Sequence, residues 1–199
     1  MSSLVLIRHG QSVWNAANRF TGWTDVDLSE VGVSEAEEAG RILSSHRIDV
    51  VHTSDLVRAQ RTAEIIMSLN ESSEGYSTKF DWRLNERNYG SLQGLNKAET
   101  AEKFGAEQVH IWRRSFDVAP PDGESLEMTA ERTIPYFEEE ILPDLKAGKS
   151  VLVSAHGNSL RSIVMHIEEI SPEEIVSLEI QTGSPMFYEF KGGEISRTG

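Results

Sequence analysis

Leu4-Val5-Leu6-Ile7-Arg8-His9-Gly10, followed by Gln11 and Ser12, carries four apolar residues straight into an arginine and a histidine. A short apolar run bounded by glycine reads as a buried strand. It delivers Arg8 and His9 to the strand's C-terminal end, the edge at which open α/β sheets bind ligands. An imidazole beside a guanidinium points to chemistry on an anion, because arginine makes forked, charge-assisted bonds to phosphate. Val151-Leu152-Val153-Ser154-Ala155 runs into His156-Gly157-Asn158-Ser159 and repeats the pattern. Two histidines at two parallel strand ends can face each other across the sheet edge.

Outward from these runs, strands alternate with helices. Ser29 is an N-cap for a helix to about Ser44, with Ala36, Ala39, Ile42 and Leu43 on one face. Asp49 to His52 reads as a strand, and Ser54 and Asp55 offer caps for a helix through Met67. Thr78 to Phe80 is a short strand, residues 84 to 96 a loop, and Lys97 to Phe104 a short helix. The stretch from Phe104 to Pro121 reads as loop. Glu124 to Leu142 is a longer helix that Pro135 should kink or break. Ser150 to Ser154, Ser159 to Glu168 and Met186 to Phe190 give a strand, a helix and a last strand. The expected class is α/β: a three-layer sandwich, mainly parallel sheet with helices on both faces. One domain over residues 1–199 is the simplest division. The acidic runs at residues 35–38 and 138–140 read as solvated helix faces.

Composition limits the function. No segment approaches the roughly 20 apolar residues of a membrane span. The opening apolar run is too short for a signal peptide, and no basic region precedes it. There is no cysteine, so disulfides, thiol nucleophiles and thiolate-held metals are excluded. These features are compatible with a cytoplasmic protein. A net charge of −13 argues against a general nucleic-acid binder. An anionic substrate would then need a local cluster of Arg and Lys.

Arg58 is placed in the first turn of its helix, where the dipole disfavours a cation. Either it faces solvent, or it and the helix terminus together hold an anion. Arg61 in the same turn reads as solvated or salt-bridged. Arg8, Arg58 and the two histidines then outline a phosphate pocket. One neutral imidazole can attack phosphorus; the other, if protonated, can stabilise the equatorial oxygens. No H-x-H or H-E-x-x-H spacing occurs, so no metal is expected. His46, His52, His110 and His166 read as structural or exposed.

Further motifs run in order along the chain. They are Arg8-His9-Gly10-Gln11-Ser12 with Asn15, Arg19-Phe20-Thr21-Gly22-Trp23, Ser54-Asp55-Leu56 with Arg58, and Glu86-Arg87-Asn88-Tyr89-Gly90. Asn96-Lys97, Trp112-Arg113-Arg114 and His156-Gly157-Asn158-Ser159 follow. Together these resemble the histidine phosphatase superfamily, and within it the short form of the 2,3-bisphosphoglycerate-dependent phosphoglycerate mutases. The resemblance implies a phosphoglycerate mutase-like fold and residue roles. His9 would carry the transferred phosphoryl group, with Arg8, Arg58, His156, Asn15, Gly157 and Asn158 binding it. Glu86 would be the general acid and base. Thr21, Gly22, Tyr89, Lys97, Arg113 and Arg114 would hold the rest of the phosphoglycerate. Gly10, Gln11, Ser12, Arg87 and Asn88 fall within the same binding motifs.

The resemblance further implies an isomerase of glycolysis and gluconeogenesis that interconverts 3-phosphoglycerate and 2-phosphoglycerate. It would be primed by 2,3-bisphosphoglycerate, use no metal, and be compatible with a homo-oligomer. The rival is a phosphohistidine phosphatase of small phosphorylated metabolites; a silent scaffold is the third reading, against which His9, Glu86 and His156 stand. Two departures are expected to affect closure of the site. An insert that longer mutases carry between Pro121 and Gly123 is missing, and the chain stops soon after the final strand.

Overall fold

The computed structural model describes residues 2–199. In chain order, β1 (Ser2–Arg8) is followed by α1 (Val13–Ala16), α2 (Glu30–Ile42), β2 (Val50–Thr53), α3 (Val57–Ser68) and β3 (Ser77–Phe80). Then come α4 (Lys97–Phe104), α5 (Ala106–Arg114), α6 (Leu126–Tyr136), a π-turn (Phe137–Ile141) and α7 (Leu142–Lys146). The chain continues through β4 (Val151–Ala155), α8 (Gly157–Glu168), α9 (Pro172–Ile175), β5 (Pro185–Lys191) and β6 (Glu194–Arg197). One sheet runs β3-β2-β4-β1-β5-β6. Its first four strands are parallel, whereas β5 pairs antiparallel with β1 and β6 antiparallel with β5.

The continuous apolar runs become the central strands because both faces of the sheet are covered. Leu4 and Leu6 of β1 join Val151 and Val153 against Tyr136, Phe137, Leu160 and Ile163. Val5, Ile7 and Leu152 point to the other face, against Ala39 of α2, Leu43 just after it, and Ala63 and Ile66 of α3. The strand period of two thus feeds two cores from one segment.

Several local expectations are corrected. Ile42 is 45% exposed and off the buried stripe of α2. Ser54 and Asp55 do not cap α3; its N-terminal Val57 N–H donates to Asp25 Oδ1 at 2.8 Å, from a distant loop. Residues 106–114 form α5 rather than loop. Only Val109 of α5 is buried, with Trp112 packed beside it in a small separate cluster, so the helix contributes little to the main core. The break expected at Pro135 is present: α6 stops at Tyr136, and the path passes through the π-turn into α7. The strand around Met186–Phe190 is followed by a further short strand, β6. Glu35 is not on a solvated face: its carboxylate accepts from the Gln11 N–H and from Thr182 Oγ1.

His52 is structural and fully buried, at 2.8 Å from Tyr136 Oη and 3.0 Å from Asp144 Oδ2. Burial first, then Lys79, outweigh the pull of Asp144 and lower its pKa to about 4. Unfolded, this histidine takes a proton below about pH 6.5, whereas folded it stays neutral to about pH 4. Its contribution to stability is therefore lost as pH falls from about 6.5 towards 4. It removes about 2 kcal/mol between pH 7 and pH 5. His9 and His156 shift in the same direction. Urea unfolding at the two pH values should show a drop at least that large. Equal stability at pH 7 and pH 5 would contradict it.

Candidate active site

The register of β1 and β4 places Arg8 opposite Ala155, so the next residue of each strand is a histidine at the same sheet edge. The His9 N–H donates to Ala155 O at 3.0 Å, and the two rings lie 4.9 Å apart. β2 is the next strand over, with Thr53 opposite Ser154. Its C-terminal end leads through Ser54 into α3, whose second residue is Arg58. Three adjacent parallel strands thus bring Arg8, His9, His156 and Arg58 together.

His9 is 2% exposed, and its Nδ1 lies 2.6 Å from Gly10 O. A carbonyl only accepts, so the ring proton sits on Nδ1 and the lone pair on Nε2. Burial, then Arg58 and Arg8, hold the pKa well below the ordinary imidazole value. The ring is neutral and its Nε2 is nucleophilic. Arg58 Nε donates to that Nε2 at 3.3 Å. The other Arg58 nitrogens donate to Thr24 O and Gly22 O at 3.0 and 2.7 Å. Burial lowers the Arg58 pKa to about 10, which still leaves it charged at neutral pH.

For His156 the structure favours the neutral form. Burial, then Arg58, His9 and Arg8, lower its pKa well below the ordinary value. Its Nε2 lies 2.7 Å from Ser54 Oγ, which already accepts the Leu56 N–H. In the tautomer in which the Ser54 hydroxyl donates to Nε2, the proton is on Nδ1, which is buried with no partner among the described residues. Neutral His156 thus offers one N–H to an anion. Arg8 Nε and Thr21 Oγ1 are likewise buried and unpartnered. Such atoms are costly to leave unsatisfied, and all three are donors of the kind an oxyanion accepts from.

Glu86 is buried across the cleft. Its Oε1 accepts from the Arg87 N–H at 2.7 Å, and from the Asn158 N–H and Nδ2 at 3.1 and 3.0 Å. Burial alone would raise its pKa, but the Arg87 amide, Arg8, Asn158 and Arg58 bring it below the ordinary carboxylate value. It is ionised and set up to accept a proton. Its loop is fixed from behind by Arg132. That guanidinium donates to the carbonyls of Arg83, Asn85 and Glu86 and pairs with Glu124. Trp23 Nε1 also donates to Glu86 O at 2.6 Å.

Around these groups lies a cleft of about 170 Å³. Of the expected residues, Arg8, His9, Asn15, Thr21, Gly22, Arg58, Glu86, Tyr89, Lys97, Arg113, Arg114, Gly157 and Asn158 line it. His156 sits behind the wall, against His9. Five expected binding residues do not reach the lining. At Gly10 an added Cβ would stand 2.1 Å from Gly32 O, so glycine is needed for packing against α2. Gln11 donates its N–H to Glu35 and accepts from Ser29 Oγ, and Ser12 caps α1. Asn88 donates its N–H to Glu124. Arg87 lies behind Tyr89, with its guanidinium 4.7 Å over that ring and Nη2 donating to Tyr89 Oη and Arg113 O.

Arg19, Phe20, Arg161 and Glu179, for which no role was expected, also line the cleft. Arg161 had a readable signal, standing three residues after Asn158 on one helix face. Glu179 had none. Seven of the 19 Lys and Arg residues line this one cleft, against Glu86 and Glu179. That is the local cationic cluster which a chain of net charge −13 needs for an anionic substrate. Among the described residues, no cluster of His, Asp and Glu has the makings of a metal site.

Known proteins share this arrangement. The histidine phosphatase superfamily (branch 1) matches residues 4–197. A 2,3-bisphosphoglycerate-dependent phosphoglycerate mutase of Protochlamydia amoebophila is 50% identical over 220 aligned positions, covering 98% of this chain and 97% of that protein. These 220 positions exceed the 199 residues here, so that relative carries residues this chain lacks. The enzyme of the same name from Cytophaga hutchinsonii is 53% identical over 190 positions, 96% of this chain and 88% of that protein. A solved mycobacterial glucosyl-3-phosphoglycerate phosphatase superposes with a TM-score of 0.86 at 26% identity, over 100% of this chain and 98% of its own.

Proposed function

The chain belongs to the histidine phosphatase superfamily, and from that premise we propose that it is a phosphoglycerate mutase interconverting 3-phosphoglycerate and 2-phosphoglycerate. The observation that carries the reading is one cleft holding both the unprotonated Nε2 of His9 and the ionised Glu86, under a set of cations. Relatives about half identical over nearly the whole chain bear the mutase name. The phosphatase fold-mate is only 26% identical. Residues 1–199 act as one catalytic domain, and glycolytic substrates place it in the cytoplasm.

His9 is the nucleophile. Its phosphorylated form passes the phosphoryl group from Nε2 to the C2 hydroxyl of 3-phosphoglycerate, and Glu86 takes the hydroxyl proton. In the return step Nε2 attacks the phosphorus at C3, and Glu86 gives its proton to the departing oxygen. The His9 proton stays on Nδ1, held by Gly10 O. Arg8, Arg58 and His156 Nδ1–H hold the charge on the transferring group, where donors fixed beforehand do most of the catalytic work. Lys97, Arg113 and Arg114 hold the remainder of the molecule. The same cationic set fits 2,3-bisphosphoglycerate, which supplies the phosphoryl group that first primes His9.

A coupled assay of 3-phosphoglycerate isomerisation, with and without 2,3-bisphosphoglycerate, tests this. Turnover that starts or rises sharply with the bisphosphate supports the reading. An enzyme that only releases phosphate would be a phosphatase.

A further inference from the structure

An acid at the mouth of a site for anions is unexpected. Glu179 has a side chain 65% exposed, follows α9, and lines the cleft. Its Oε1 accepts from Arg114 Nη2 at 2.5 Å, and its Oε2 lies 3.8 Å from Arg161 Nη2. Arg161 is also tied inward, donating from Nε to Leu178 O and from Nη1 to Asn158 Oδ1. Asn158 in turn holds Glu86. Among the described residues Arg114 has no such second tie; its polar partner is Glu179.

The depth of the cleft orients the substrate. His9 and Arg58 are at its buried end, whereas Arg114 and Glu179 are near solvent. A phosphoryl group at His9 therefore directs the other end of the molecule towards Arg114. A carboxylate arriving there meets a guanidinium that Glu179 already occupies. Resting on the proposed function, we infer that Glu179 is an internal competitor for the substrate's far-end anion and a specificity-determining residue. It occupies Arg114 in the free protein and is displaced by a ligand bearing a second negative group. Exposed ion pairs are weak, so displacement is easy and the expected effect is about two- to fivefold in affinity.

Glu179→Gln should tighten ligands that carry a far-end carboxylate, and leave those without one nearly unchanged. A mere gain of positive potential would tighten both. Titration calorimetry of wild type and Glu179→Gln with 3-phosphoglycerate and with glycerol 3-phosphate separates these cases. The expected result is 3-phosphoglycerate binding about two- to fivefold more tightly, with glycerol 3-phosphate unmoved. Equal tightening of both, no change, or weaker binding of 3-phosphoglycerate would overturn the inference; the last would make Glu179 an organiser of Arg114. The readout is binding rather than turnover. Absence of isomerisation alongside the expected binding pattern would strike the proposed reaction and leave the role of Glu179 standing.

Discussion

Replacing His9 by alanine should reduce turnover on the order of 10⁴-fold or more, because covalent catalysis has no substitute once its nucleophile is gone. Incubation of wild type with 2,3-bisphosphoglycerate should leave an acid-labile, base-stable phosphate on His9, and the variant should take up none. The loss is chemical rather than structural. β1 up to Arg8 keeps its register with β4 and β5 whatever residue follows. The variant does lose a bond to Gly10 O and the acceptor for Arg58 Nε. Arg58 keeps its bonds to Gly22 O and Thr24 O, so the cationic wall survives. Circular dichroism and thermal unfolding would confirm a folded variant. A label retained without His9 would remove it from the mechanism.

Glu86→Gln should lower kcat by about 10²–10⁴-fold, the usual contribution of a positioned proton carrier, with KM little changed. Glutamine keeps the shape of the side chain, and its Oε1 can still accept from the Arg87 and Asn158 amides. The variant cannot take the hydroxyl proton. Transfer from phosphorylated His9 to the acceptor should slow, while priming of His9 persists in reduced form. Rapid-quench measurement of the His9 label distinguishes the two steps. A kcat near that of wild type would assign the proton to another group.

How much of this was readable depends on where each signal lies. Leu4–Ile7 and Val151–Ala155 are buried on both faces, so unbroken apolar runs announced them. The two His-Gly steps at their ends carried the core of the site, because parallel neighbours end on the same edge. α5 was not readable, since only Val109 of it reaches the core. Asp25 capping α3 and Glu35 tying Gln11 to Thr182 are long-range bonds that local propensity does not encode. The motif residues divided for a similar reason. Those whose side chains reach the cleft, such as Lys97 and Arg113, act on the ligand. Gly10, Gln11, Ser12, Arg87 and Asn88 serve the backbone around it. A linear motif does not separate the two kinds. The charge state of His156 is not legible in the sequence, because its pKa depends on burial and on arginines distant in the chain.

The central claim is that phosphate on His9 returns to a phosphoglycerate rather than to water. Retention requires water to be kept from in-line attack while the bound molecule reorients. Lys97, Arg113 and Arg114 provide the grip for that interval. The direct measurement is orthophosphate released per 3-phosphoglycerate isomerised, followed in one reaction primed with 2,3-bisphosphoglycerate. We predict release that is detectable but slower than isomerisation. Release equal to or faster than isomerisation would contradict the account and make this protein a phosphatase.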